Sequence, residues 1–552
     1  MDNGRKPTVN RDGLRTPLRT SGLSAFESRV HEVQNPPGMT SRTRLLGLVA
    51  SVLLVVCLRL PYVNAPLDID EGTYAATVMK AASGYSLYAD LNTNRPPLLY
   101  AYYSASRALD HALGLSPAVS IRLLALLACA FTVAVVFWSL GQLFGLKTAL
   151  VGGVVTALLA SMPLTQAVGG NAEVFMLPFY AASGVLVLLS VRRAGRRGIV
   201  YAVLAGAACA LAALTKQVGA IAALLPLAAL PLAPSKDNRR LVLLGGFSGG
   251  LVVVALAALA WTLLTGQFRE FLVFGGFSNL YYVQMPMRAT AIANLLYSLR
   301  LLRLEFTLPA LCVVLALIWG ILQRDKSVWL MVFALAWLGL SFLGVAASGR
   351  YYPHYYVQMV PSLAVGAAIA SSRGWHEGRF DATERRTALA GLAILLLAIG
   401  ATVGVSNSAA YNNRYIGGRE TGLQLKAVTS SADTVFVWGA RSDILAYADR
   451  VSSTRATWTY YALAPYGERA SQVVMGIALE NSGDIILDDL ANEPPAAIVL
   501  ARPLQGGGTA LDDPDDPRVA EELERMIVES YVLADVSEYP PDGVELYVRK
   551  SQ

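Results

Sequence analysis

The chain has 552 residues, 54% hydrophobic and 15% charged, whereas a soluble domain is near half apolar and a quarter charged. The apolar excess falls in runs of about 20 residues, the length an α-helix needs to cross a bilayer. This excludes a soluble enzyme, and it excludes a nucleic-acid binder despite the net charge of +6. A disulfide scaffold is excluded as well. The four cysteines, Cys57, Cys129, Cys209 and Cys312, each lie in an apolar run without metal-ligand spacing and read as small core residues.

Residues 1–43 are polar, rich in Arg, Ser, Thr, Pro and Gly, and lack apolar periodicity; they read as a disordered tail. Eleven apolar runs follow, at about 45–63, 117–143, 148–168, 173–191, 199–215, 217–233, 241–264, 306–323, 327–346, 354–371 and 387–405. The first begins too far from Met1 for a cleaved signal peptide and reads as a retained anchor. The run after Pro96–Pro97, about 98–115, contains Arg107, Asp110 and His111. It reads as an amphipathic interface helix, with a twelfth span as the alternative.

Charge sets the expected topology. Residues 407–552 carry 12 basic and 22 acidic side chains, a net of −10, so residues 1–406 carry +16. With the tail in the cytoplasm and eleven spans, the tail and the loops on its side hold a net of +13, including Arg192, Arg193, Arg196, Arg197, Arg239, Arg240, Arg385 and Arg386. That is the positive-inside pattern, and an odd number of spans places residues 407–552 outside. There Thr434–Val437 and Ala497–Leu500 read as buried strands, Arg518–Ser530 as a helix and Glu545–Arg549 as a last strand, a small α/β domain. The acidic loop Asp512–Asp516 reads as solvated surface. The expected organisation is therefore a tail (1–43), a polytopic helical membrane domain (44–406) with a long first outer loop (64–116), and an extracytoplasmic α/β domain (407–552).

The unusual residues gather on the outer face. The first loop reads Asp68-Ile69-Asp70-Glu71-Gly72-Thr73-Tyr74 and later Asn94-Arg95-Pro96-Pro97-Leu98. The second reads Gly169-Gly170-Asn171-Ala172-Glu173, the third is the turn Thr215-Lys216-Gln217, and a later one runs from Ser348 through Arg350 to His354-Tyr355-Tyr356. Charges at membrane depth are costly and usually functional. Lys216, between two apolar runs, either snorkels to the headgroups or meets a lipid phosphate. Asp70 and Glu71 are adjacent, so their side chains diverge on any regular element; one suits chemistry while the other holds the loop. Arg95, before a rigid Pro-Pro pair, is placed either to start a helix or to grip a phosphate in bidentate fashion. His354, beside Arg350 and four tyrosines, is either structural or part of a ring-stacking sugar site.

In this order, the Asp70-Glu71 pair with Tyr74, the Arg95-Pro96-Pro97-Leu98 stretch, Glu173, the Thr215-Lys216 turn and the Arg350…His354-Tyr355 segment resemble the GT-C superfamily of membrane glycosyltransferases. Within it they are similar to the family 39, protein O-mannosyltransferase-like group that includes the lipid A aminoarabinose transferases. The resemblance covers roughly residues 45–405. It implies a multi-pass cell-membrane enzyme that moves a sugar from a polyprenyl-phosphate donor to an acceptor hydroxyl on a glycan, lipid or protein outside the bilayer, with inversion. It also implies catalytic roles at Asp70 and Glu71, with Asp70 as base. Arg95, Lys216 and Arg350 would grip the donor phosphate, and Tyr74, Glu173, His354 and Tyr356 would bind substrate. A divalent cation could share the cationic work, but the sequence shows no ligand cluster. A lipid-linked-sugar flippase remains open, although no internal repeat supports it, as does a non-catalytic partner in wall assembly.

Overall fold

The computed structural model describes residues 41–91, 93–234, 238–277, 290–323, 328–376, 416–457, 482–501, 517–534 and 544–550. Most of the expected tail, the expected span 387–405 and the acidic loop 512–516 lie outside these segments. Residues 41–45 only begin the first helix, and the body of the molecule runs from Leu46 onward.

The chain is a polytopic helical membrane protein with a small sheet near its C-terminus. Among the described residues, seven helices are long and apolar enough to span a bilayer: Ser41–Tyr62, Pro117–Phe144, Ala172–Arg192, Gly195–Thr215, Arg239–Leu264, Arg303–Leu322 and Val328–Ala346. Shorter apolar helices run over Leu146–Leu159, Gln217–Leu232 and Ala291–Leu301. The α-helices that position the site are α1 (Ser41–Arg59), α2 (Ile69–Ala82), α3 (Pro97–Leu113), α4 (Pro117–Phe144), α5 (Leu146–Leu159), α6 (Ala172–Arg192), α7 (Gly195–Thr215) and α8 (Arg239–Leu264).

Among the described residues, several of the apolar runs do not become simple α-helices; that at 217–233, for one, is 3-10 over Gln217–Leu224 and Leu230–Leu232. The run expected over 148–168 is helical only to Leu159, and the chain then turns through a loop to Asn171. The run from 354 opens with a tight 3-10 stretch, Pro353–Met359, before helix Val360–His376. Helix α3 buries Leu99, Tyr100, Tyr103 and Ser106, spaced for one side of a helix, and ends at left-handed Gly114 (φ +65°). Two of the cysteines, Cys129 and Cys209, are buried, whereas Cys57 and Cys312 lie on exposed helix faces.

Small residues set the bundle's spacing, as expected where lipid leaves packing rather than water to drive association. A Cβ at Gly206 on α7 would strike the Phe247 carbonyl on α8, and one at Gly250 would strike the Val203 carbonyl in return. The Trp337 ring closes over Gly184 in the same way.

The C-terminal region contains helix α9 (Ile416–Val428), strand β1 (Thr434–Trp438), helix α10 (Asp443–Ala448), β2 (Val451–Ser452), helix α11 (Ser482–Asn492), β3 (Ala497–Leu500), helix α12 (Pro517–Ser530), β4 (Tyr531–Leu533) and β5 (Glu545–Arg549). The sheet order is β2-β1-β3-β5-β4. β1 pairs in parallel with β2 and β3, and β5 pairs antiparallel with β3 and β4. Alternation along β1 divides its side chains between two cores. Val435 and Val437 pack with Leu445 and with Ala76 of α2, while Phe436 and Trp438 pack with Leu490 and Leu523.

Candidate active site

The site is organised by the first turn of α2. Asp68 is the N-cap: its Oδ1 accepts from the Glu71 N–H at 2.8 Å, and Glu71 Oε2 accepts from the Asp68 N–H at 2.8 Å. This reciprocal capping box satisfies two backbone donors that a helix start otherwise leaves open. Asp68 Oδ2 also accepts from Asn171 Nδ2 at 3.0 Å. Burial pushes the Asp68 carboxyl well above the usual carboxylate range, and the neighbouring Glu71 and Asp70 push it further.

Glu71 is 0% exposed. Its Oε1 is bonded by Arg122 Nη1 and by the Gly170 N–H. Both carboxylate oxygens are therefore committed to holding α2, α4 and the second loop together. Asp70 turns the other way. Its side chain is 32% exposed, and Oδ2 lies 3.8 Å from His354 Nε2. The divergence expected of adjacent helical residues is what the geometry shows.

Around Asp70 the structure gathers most of the other sequence candidates. Glu173, in the first turn of α6, pairs through Oε1 with Lys216 Nζ, and both are buried. His354 Nε2 lies 3.9 Å from the same Glu173 oxygen. Lys216, just past the end of α7, also stands 4.5 Å above the Tyr355 ring. Arg95 Nε donates to Tyr74 Oη at 3.1 Å, with its guanidinium 6.0 Å from that ring's centroid. Burial raises the Tyr74 phenol well above its ordinary value, against the pull of Arg95. The result is a half-open cluster of two acids, a lysine, an arginine and a histidine, walled by tyrosines.

Two candidates stand elsewhere. Tyr356 is buried in the helical core, its Oη 2.6 Å from Ser298 Oγ and its ring edge-on to Phe306. Arg350 lies on the preceding turn, between Gly349 (φ +68°) and Tyr351 (φ +52°), partly buried.

Several residues outside the sequence candidates support the cluster. Gln166, in the left-handed region at φ +56°, places Oε1 2.9 Å from His354 Nδ1. That contact fixes one ring nitrogen and leaves Nε2 toward Asp70 and Glu173. Gln217 donates to the carbonyls of Asn94 at 2.7 Å and Gly275 at 2.8 Å, tying the loop that bears Arg95 to the turn beside Lys216.

The largest support is Arg59 at the end of α1. Its guanidinium donates to the carbonyls of Ala160 (2.8 Å), Ala167, Val168 (3.1 Å) and Gly169 (3.2 Å). Glu305 Oε2 accepts from the Leu164 N–H at 2.9 Å, and Tyr103 Oη donates to the Gly170 carbonyl at 2.9 Å. The second loop, which presents Gln166 and Glu173, is thus held from three helical elements. The signal for Arg59 and Arg122 was present in the sequence: each is a charge inside an apolar run, a costlier position than that of Lys216 between two runs.

Among the described residues, no group of three or more His, Cys, Asp or Glu side chains is placed to hold a metal ion.

No protein-family profile matches the chain, and no curated protein matches it by sequence. Solved structures do match the fold. ArnT from Cupriavidus metallidurans bound to undecaprenyl phosphate is 15% identical with a TM-score of 0.58, over 92% of this chain and 98% of that one. The same ArnT in its apo state gives a TM-score of 0.59 at 15% identity, over 91% and 97%. The chain therefore has, along nearly its whole length, the fold of ArnT.

Proposed function

We propose that the chain is an integral membrane glycosyltransferase that moves a sugar from a polyprenyl-phosphate donor to an acceptor hydroxyl, with inversion at the anomeric carbon. The observation that carries this reading is the environment of Asp70. Of the three acids at the start of α2, Asp68 and Glu71 are turned inward and hydrogen-bonded, while Asp70 is left half-exposed beside His354 and the Glu173–Lys216 pair. A carboxylate so placed can take the acceptor's proton, a step worth about 10²–10⁴-fold. The fold is that of ArnT, a protein seen bound to undecaprenyl phosphate, and a lipid phosphate is the anion that buried Lys216 and partly buried Arg95 would suit.

Asp70 is the base, and Glu71 is reassigned from chemistry to scaffold because neither oxygen is left for substrate. Arg95 and Lys216 stabilise the departing lipid phosphate, with Arg350 on the turn that precedes His354. Lys216 is shared: an arriving phosphate competes with Glu173 for its ammonium. Tyr74, Glu173 and His354 line the sugar site, and Tyr356 supports it from the core. In this reading the basic tail lies in the cytoplasm and the site and residues 407–552 lie outside the inner membrane, an orientation that the charge asymmetry supports.

The test is mass spectrometry of envelope glycans, glycolipids and glycoproteins after deletion of the gene, followed by complementation with wild-type chain and with Asp70→Asn. Loss of one glycan that only the wild type restores supports the enzyme reading. Restoration by both would point to a flippase or an assembly partner.

A further inference from the structure

The helix that carries Asp70 is covered on its other side by the C-terminal α/β region. Gly72, Ala76 and Lys80 recur every four residues along α2 and form one stripe. At Gly72 an added Cβ would strike the backbone nitrogen and Cα of Asp443, at the start of α10. Ala76 joins the apolar core beneath the sheet with Val435, Leu445 and Ala497. Lys80, buried, donates to the Ser452 carbonyl at 2.8 Å. Thr77 Oγ1 lies 3.2 Å from Thr457 Oγ1, and the Leu67 N–H, just before the N-cap, donates to Tyr447 Oη at 2.9 Å.

Helix α10 is itself wedged. On its far side a Cβ at Gly418 would strike the Asp443 carboxylate, and one at Gly422 would crowd Tyr447. Arg441 holds the Asp443 carboxylate through both oxygens, at 3.1 and 3.2 Å. A helix pressed between two glycine-lined faces has little room to shift.

We propose that Gly72 is a positioning residue: by seating Asp443 directly on α2, it lets the α/β region fix the position of the helix that aims Asp70 at His354. The inference rests on the role given to Asp70 above. Residues 70 and 72 are two apart, about 200° round a helix, so Asp70 and Gly72 point to opposite sides. A methyl group at 72 cannot enter the Asp443 backbone, and α2 must move toward the site. A displacement of about 1 Å at a reacting group can cost on the order of 100-fold in rate. The sign is diagnostic, because Gly→Ala inside a helix is otherwise favourable.

The experiment uses the full-length purified chain with Gly72→Ala and Tyr447→Phe. The second variant adds no bulk and removes only the acceptor for the Leu67 N–H. Steady-state transfer kinetics are read together with hydrogen–deuterium exchange of peptides covering residues 67–82 and 443–448. The expected result for Gly72→Ala is a kcat about 10- to 100-fold lower with donor KM within about twofold, and faster exchange in both peptides. Tyr447→Phe should shift both readouts the same way by less, and it carries the test if Gly72→Ala does not fold. Wild-type kcat and unchanged exchange in either folded variant would overturn the proposal. If the wild-type chain transfers no sugar, the role of Asp70 falls; the exchange data then judge the seating of Asp443 alone, and unchanged exchange overturns that too.

Discussion

Asp70 Oδ2 and His354 Nε2 face each other across 3.8 Å, while the adjacent Glu71 is turned fully inward onto Arg122. Two neighbouring acids thus have opposite surroundings, and their amide variants should fail in opposite ways. Glu71→Gln leaves the Arg122 guanidinium buried without its carboxylate. Breaking a buried pair by removing one partner costs about 3–5 kcal/mol. Thermal unfolding in detergent should show a large fall for Glu71→Gln and almost none for Asp70→Asn. Equal melting of the two variants would remove Glu71 from the scaffold.

The Lys216–Glu173 pair makes a second quantitative prediction. Either Lys216→Met or Glu173→Gln strands a buried charge or its partner, and each should destabilise by about 3 kcal/mol. The double variant should recover about half of the summed loss, because neither orphan remains. A double-mutant cycle on melting free energies measures the coupling. Strict additivity would mean the two side chains do not interact.

Kinetics separate the cations from the acceptor side. On the proposed assignment, Arg95→Gln and Lys216→Gln remove positive charge from where the leaving phosphate would gather negative charge, so the polyprenyl-phosphate donor should be used far less well, with acceptor KM little changed. Steady-state assays with donor and acceptor varied separately decide this. Loss confined to the acceptor would assign both cations to the other substrate.

Asp110 gives a pH dependence. Burial raises its carboxyl to about 7, with Arg107 opposing and Asp449 reinforcing the shift. An acid whose folded value is raised binds its proton more tightly in the folded state. Its favourable contribution is complete below about pH 4 and is lost as pH rises through about 7. Asp110→Asn keeps an acceptor for Ser120 Oγ and should match wild type at about pH 4 but be more stable at about pH 8. The gain should be about 1 kcal/mol, because partial exposure screens the shift. Melting curves at the two pH values check it, and a gain already present at the acid pH would exclude titration as its cause.

Topology is tested by cysteine labelling in intact cells. Ala427→Cys, on an exposed face of α9, should react with an impermeant reagent, while Arg197→Cys should react only after permeabilisation. The reverse pattern would invert the assignment of the outer face.

Much of this arrangement could be read from the sequence, and the exceptions share a cause. The strands at 434–437, 497–500 and 545–549 and the helix near 518–530 follow from local alternation and amphipathicity. The divergence of Asp70 and Glu71 follows from helical geometry alone. The end of α5 at Leu159 does not, because the run stays apolar to residue 168. What permits a loop there is Arg59, distant in sequence, which satisfies the carbonyls a helix would have bonded internally. Which of the two acids holds the loop depends on Arg122, 51 residues from Glu71 in sequence, a partner that local pattern does not connect to it. Tyr355 and Tyr356 are neighbours in a 3-10 stretch, and only tertiary packing sends the first toward Lys216 and the second toward Ser298.

The central claim is that Asp70 removes a proton from an acceptor at a site fed by a lipid-linked sugar. Its most direct test is transfer of a radiolabelled sugar from a polyprenyl-phosphate carrier to extracted envelope acceptors, catalysed by purified wild-type chain and by Asp70→Asn at matched folded fractions. Labelled product is expected with wild type, and formation at least about a hundredfold slower with the variant, the scale of a lost general base. Equal rates for the two proteins, or no product from any polyprenyl-phosphate sugar with the wild type, would contradict it.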